Sequence, residues 1–221
     1  MGQMLRNNGL SIVLLLLFVA FIAGQAVTGI HEYNDEQAEH GEPPLEMSDY
    51  LRTGHFVEIT AENWESEFLQ MAAYVLLTVR LFQRGSSESK DPAGRAAVDR
   101  DPRRSVHDPR APWPVRRGGW VLRIYENSLA LAFVGLFAIC VVLHAFGGAA
   151  AYNEGQLAHG GARVSVLGYM QTTRFWFESF QNWQSEFLAL ASMVLLSIVL
   201  RQRGSPESKP VDAPHGETGS G

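Results

Sequence analysis

Two glutamates and one histidine are the residues of this sequence best placed to do chemistry. His144 stands 15 residues beyond Leu129, where one charge-free run begins, and Glu186 stands 15 residues before Arg201, where another ends. At 1.5 Å per residue each lies about 22 Å from the same end of its helix. A carboxylate and an imidazole at one depth on antiparallel neighbours can share a proton or hold a cation, the imidazole tuning the acid. The matching pair 119 residues earlier is Gln25 and Glu67, so that carboxylate keeps a polar partner of different chemistry. Ionisable groups inside a membrane are costly and read first as functional. The structural alternative is that these side chains tie two helices together by hydrogen bonds. Glu67 and Glu186 can also sit in a first helical turn at the membrane surface, where the helix dipole favours Glu and Asn63 or Asn182 serves as N-cap.

A second cluster repeats as well. Tyr33, Gln37 and His40 recur as Tyr152, Gln156 and His159, spaced i, i+4 and i+7 on one face of a helix. Brought together by symmetry, two His and two Glu can hold zinc or another divalent ion. Neither copy has a His-x-x-x-His or Glu-x-x-His spacing, so no metal is expected. The plainer reading is a helix end at the interface, with Tyr among the headgroups and His-Gly as the stop. Trp64, Trp183, Phe56, Phe175, Trp176 and Phe177 read as interfacial anchors. Cys140, the one cysteine, reads as a small buried hydrophobe. There is no phosphate-binding Gly-rich loop, nucleophile elbow, metalloprotease helix or nucleic-acid module. No catalytic residue is assigned, and neither a cofactor nor a nucleic-acid partner is expected.

These residues are positioned by a duplicated unit. Asn8–Lys90 aligns without a gap on Asn127–Lys209, and 32 of the 83 positions are identical. Bulk composition conceals this, since mean hydropathy is −0.04 and net charge −5. The apolar residues are clustered. Leu10–Ile30 and Leu129–Ala151 carry no formal charge and are long enough to cross a hydrocarbon core of about 30 Å. Shorter runs follow Trp64 and Trp183. The first run resembles a secretory leader, but its internal counterpart cannot be one, so both are read as permanent spans. Each copy thus predicts a span, an outer loop, an amphipathic segment and a second span. Gly41 with Pro43-Pro44 should end the first helix, and Ser48-Asp49 should cap the next.

Charge sets the orientation. The outer loops 31–66 and 147–182 carry only Arg52, Arg163 and Arg174, whereas the N-terminus, the 83–126 connector and the tail carry 14 basic residues. The positive-inside rule then puts both termini and the connector in the cytoplasm. Copies that start on one side are parallel repeats, related by an axis along the membrane normal. The predicted organisation is a first two-span repeat at 8–90, a disordered cytoplasmic linker at 91–126, a second repeat at 127–209 and a disordered tail at 210–221. The linker is rich in Pro, Arg and Asp, and its arginines face anionic headgroups only weakly because aspartates are interspersed. The longest identical patch, Gln-Arg-Gly-Ser-x-Glu-Ser-Lys, has a clear start in a basic helix end and a Gly stop. Its remainder (Ser86, Glu88, Ser89, Lys90 and Ser205, Glu207, Ser208, Lys209) suggests a cytoplasmic protein partner.

The motifs Asn-Trp-Glu-Ser-Glu-Phe-Leu-Gln-Met-Ala (63–72), the Gln-Arg-Gly-Ser-x-Glu-Ser-Lys tails, and Tyr33-Asn34 with Gln37 and His40-Gly41 resemble a bacterial family of small membrane proteins of unknown function. The resemblance implies a bacterial inner membrane and transfers no activity. The expectation is an all-α membrane protein: four transmembrane helices from two parallel-repeat hairpins, with interfacial amphipathic helices on the outer side. Its expected role is non-enzymatic, in packing or partner binding within the bilayer, and no pattern sets an oligomeric state. The alternative is a small proton- or cation-coupled transporter or channel using Glu67, Glu186 and His144.

Overall fold

The computed structural model describes residues 2–91 and 96–219. Linker residues 92–95 and tail residues 220–221 lie outside the described residues. Among the described residues every regular element is helical. In order these are α1 (Gly2–Glu39), α2 (Met47–Tyr50), α3 (Gly54–Thr78), two 3-10 turns (Ala97–Asp99 and Pro102–Ser105), α4 (Trp113–Arg117), α5 (Gly119–Glu126), α6 (Ser128–Ala158), α7 (Val166–Tyr169) and α8 (Thr173–Leu196).

Local chemistry sets the ends. Gly41 (φ +76°) and Gly160 (φ +72°) take the left-handed conformation just beyond α1 and α6, where an L side chain would be strained. The starts of α3 and α8 differ from the expected ones. Ser48-Asp49 falls inside the single-turn α2, whose N-cap is Glu46. The long helices begin at threonines: Thr53 Oγ1 accepts from the Phe56 amide at 3.1 Å, and Thr172 Oγ1 from the Phe175 amide at 3.3 Å. Asn63 and Asn182 therefore lie inside α3 and α8, well past their N-termini. The first-turn placement of Glu67 and Glu186 falls with them.

Two helices are long and apolar enough to cross a membrane by length and composition, Arg6–Glu39 and Ser128–Ala158. None of the most apolar stretch of the first is buried within the chain. Helices α3 and α8, with 25 and 24 residues, are long enough but carry Glu, Gln and Asn through their first halves and lie outside that pair.

The chain divides into two compact units, Met1–Thr60 with Leu143–Gln171 and Ala61–Val142 with Thr172–Gly221. In the first unit, Ile30, Tyr33 and Tyr50 form a core with Leu45 and Phe56 packed on it. Contacts recur there 119 residues apart. The Tyr33 and Tyr50 rings are 5.6 Å apart, and those of Tyr152 and Tyr169 5.7 Å apart. Asn34 clasps both backbone groups of Leu45, and Asn153 clasps those of Val164 in the same way. A Cβ on Gly29 would collide with the Tyr50 hydroxyl, and one on Gly148 with the Tyr169 hydroxyl.

In the second unit, Phe137 packs against Trp183 at 6.2 Å and Phe68 against Phe133 at 6.5 Å. The linker and tail, expected to lack structure, hold short helices and turns among the described residues. Trp, Val, Leu, Ile and Tyr at 113–125 supply enough apolar surface for α4 and α5, which bury Val115 and Leu122. In the tail, Lys209 is 1% exposed, and its ammonium donates to the carbonyls of Pro214, His215 and Glu217 at 2.8–3.3 Å. Those bonds fold the tail around the Lys209 side chain.

Candidate functional site

The site grows from a close helix approach in the first unit. A Cβ on Gly54 would lie 2.6 Å from the Gly147 carbonyl oxygen, and one on Gly147 would lie 2.7 Å from the Glu58 amide. Only glycine lets the start of α3 and the C-terminal half of α6 touch backbone to backbone. One turn along from that contact, α3 presents Glu58 and α6 presents His144. Helix α7 supplies Tyr169, seated over Gly148 and started by Ser165, whose hydroxyl accepts from the Gly168 amide at 3.0 Å.

The three side chains converge. Tyr169 donates its hydroxyl proton to Glu58 Oε1 at 2.9 Å. A Glu58 carboxylate oxygen and a His144 ring nitrogen lie within 4.8 Å of each other. The His144 ring stands edge-on to Tyr169 with centroids 6.5 Å apart. Exposure is 2% for Glu58 and zero for His144 and Tyr169. A carboxylate removed from water must be hydrogen-bonded, paired or neutral. Here the phenol supplies that hydrogen bond, and the imidazole next to it can take a proton or offer a lone pair. Glu58 and His144 each present a ligand atom to a cation. The arrangement can therefore lock three elements together, pass a proton between acid and imidazole, or hold a cation.

The residues singled out from sequence are distributed as follows. His144 is in the site, and the carboxylate beside it within its unit is Glu58. Gln25 donates to Thr60 Oγ1 at 3.1 Å. Glu67 is exposed, and Glu186 is half-buried, with its backbone carbonyl accepting from Gln70 Nε2 at 2.9 Å. Of the repeated Tyr, Gln and His cluster, the His40 and His159 rings approach edge-on at 6.3 Å. Tyr33 reaches the Glu154 carboxylate at 3.4 Å, Gln156 donates to the Tyr152 hydroxyl at 2.6 Å, and Gln37 is half-buried.

Sequence reasoning missed Glu58, Tyr169 and also Glu65. Glu65 is 1% exposed, and its Oε1 accepts from Trp183 Nε1 at 3.0 Å in the second unit. In Asn-Trp-Glu-Ser-Glu-Phe the first glutamate is therefore interior and the second is not. A signal existed: Glu58, Ala61, Glu65 and Ala72 fall on one helical stripe, and all four are buried.

The repeated tails acquire a physical account. Ser89 Oγ accepts from the Gln83 amide and Ser208 Oγ from the Gln202 amide, both at 2.9 Å. Ser86 Oγ accepts from the Glu88 amide and Ser205 Oγ from the Glu207 amide, at 3.1 and 3.2 Å. Gly85 (φ +86°) and Gly204 (φ +84°) turn the chain so that these serines can close the loop. Ser86, Ser89 and Lys209 are buried within these loops.

A family model described as Domain of unknown function (DUF6766) matches residues 1–220. The chain belongs to that family. The match takes in α1 through α8, both serine loops and the linker between them, so Glu58, His144 and Tyr169 all lie inside the family's own extent. No curated protein and no solved structure matches the chain.

Proposed function

We propose that this chain is an integral membrane protein of four spans, α1, α3, α6 and α8, built from two parallel copies of one hairpin. Both termini and the linker face the cytoplasm of a bacterial inner membrane. The protein works without covalent catalysis, through polar contacts buried among its helices and a partner or lipid surface at its cytoplasmic loops. The observation that carries this reading is α1. Its apolar stretch is unburied, with Leu10 77%, Leu15 64%, Leu16 64% and Phe21 73% exposed. A contiguous apolar face of that size is untenable in water and is satisfied by lipid. Contacts that repeat at a separation of 119 support the two-copy architecture.

In this reading Glu58, Tyr169 and His144 hold elements together, as polar groups do inside bilayers. A second reading is favoured by the two ionisable members: the same cluster relays a proton or holds a cation. Extraction of membranes with alkaline carbonate tests the first claim, and release of the chain into the supernatant would refute it. Proton flux in proteoliposomes separates the two roles. A relay gives a pH-dependent flux lost in Glu58→Gln and kept in Glu67→Gln. A structural cluster gives no flux in the parent protein.

A further inference from the structure

We infer that the α4–α5 corner is a binding surface for anionic phospholipid in the leaflet that α6 enters, an inference that rests on the membrane reading above. Gly118 (φ +67°) and Gly119 (φ +61°) turn the chain sharply between the two helices. The corner buries Val115 and Leu122 and leaves Trp113 61%, Trp120 73%, Ile124 51% and Tyr125 43% exposed. Arg116, Arg117 and Arg123 are exposed among them. Trp120 and Ile124 stand at i and i+4, one above the other on the face opposite Leu122. Indole and phenol rings beside arginines are the side chains that settle at the headgroup level.

Charge selects the lipid. No acidic residue occurs from 113 through 125. The upstream aspartates that dilute the linker's positive charge are held locally: Asp99 pairs with Lys90 at 2.6 Å, Asp108 with Arg110 at 3.3 Å, and Asp101 accepts from the Arg103 amide. Glu126, the last residue of α5, is the one carboxylate of the corner, so three arginines outnumber it and complement anionic headgroups. Continuity fixes the place. Helix α5 ends at Glu126 and α6 begins at Ser128, so a membrane-crossing α6 holds the corner at the bilayer surface.

The test uses the full chain reconstituted in vesicles of phosphatidylcholine and phosphatidylglycerol, one lipid or the other brominated, with tryptophan fluorescence as the readout. Brominated phosphatidylglycerol is expected to quench the parent protein about twofold more than brominated phosphatidylcholine. That excess should vanish in Trp113→Phe/Trp120→Phe, and also in Arg116→Gln/Arg117→Gln/Arg123→Gln, which keeps both indoles. All five residues are exposed, so neither variant disturbs a core. Equal quenching by the two lipids in the parent, or an excess that survives the arginine variant, overturns the inference. Absence of quenching by either lipid overturns the membrane reading as well, so the two failures are distinguishable.

Discussion

Tyr50 and Tyr169 occupy matching positions, yet their hydroxyls have opposite circumstances. The Tyr169 hydroxyl donates to Glu58, whereas the Tyr50 hydroxyl is buried without a hydrogen-bond partner. The residue 119 beyond Glu58 is Phe177, which cannot accept a hydrogen bond. Tyr169→Phe should cost about 1–3 kcal/mol, since it strips a donor from a buried carboxylate. Tyr50→Phe should leave stability unchanged or raise it by up to about 1 kcal/mol. Unfolding in mixed detergent micelles measures both, and equal losses would contradict the assignment. Burial, with the Glu32 carboxylate adding to it, also holds the Tyr50 hydroxyl above tyrosine's ordinary value of 10.0. Neutral phenol is thus favoured in the folded chain, and this contribution to stability is complete below pH 10. It is lost as pH rises, because the unfolded chain ionises first. Between pH 10 and 11 the Tyr50→Phe variant should lose less stability than the parent, and parallel curves would refute that cause.

At the scale of elements, the decisive contact is the glycine approach of α3 to α6. Gly147→Ala has backbone atoms in its way, the Glu58 amide nitrogen at 2.7 Å and the Gly54 carbonyl at 2.9 Å. Backbone cannot swing aside as a flexible side chain does, so the substitution should cost about 1–3 kcal/mol and move Glu58 away from His144. Gly155, on the same helix, has open space where a Cβ would stand. Gly155→Ala should therefore stabilise by about 0.5–1 kcal/mol through helix propensity alone. Thermal unfolding followed by circular dichroism reads both signs, and a loss in both variants would dismiss the distinction. Helix boundaries were largely legible in the sequence, because glycine and proline punctuate it and the apolar runs are long. The starts at Thr53 and Thr172 were not, since Asn63 and Ser48-Asp49 offered equally good caps on paper. The Gly54–Gly147 approach packs the start of α3 on α6.

For the whole chain, the segregation of charge is the strongest determinant. Fourteen basic residues lie in the termini and in 83–126 against three in 31–66 and 147–182, and in the proposed topology the positive-inside rule puts the first set in the cytoplasm. In a Cys140→Ala background, Arg103→Cys should react with a membrane-impermeant maleimide only after the cells are opened, and a cysteine at Gly161 should react in intact cells. Labelling of residue 103 from outside would reverse the topology. The helical class, the order of long helices, the 119-residue period and the kinship with a family of unknown function were all legible in the sequence, because each depends on composition and spacing along one dimension. The tertiary structure alone decided that Glu58 and not another acid stands next to His144 in its unit, that Glu65 turns inward while Glu67 does not, and that Lys209 closes the tail. Counting residues gives depth along a helix, but the direction a side chain faces depends on where that helix begins and what its neighbour allows to approach.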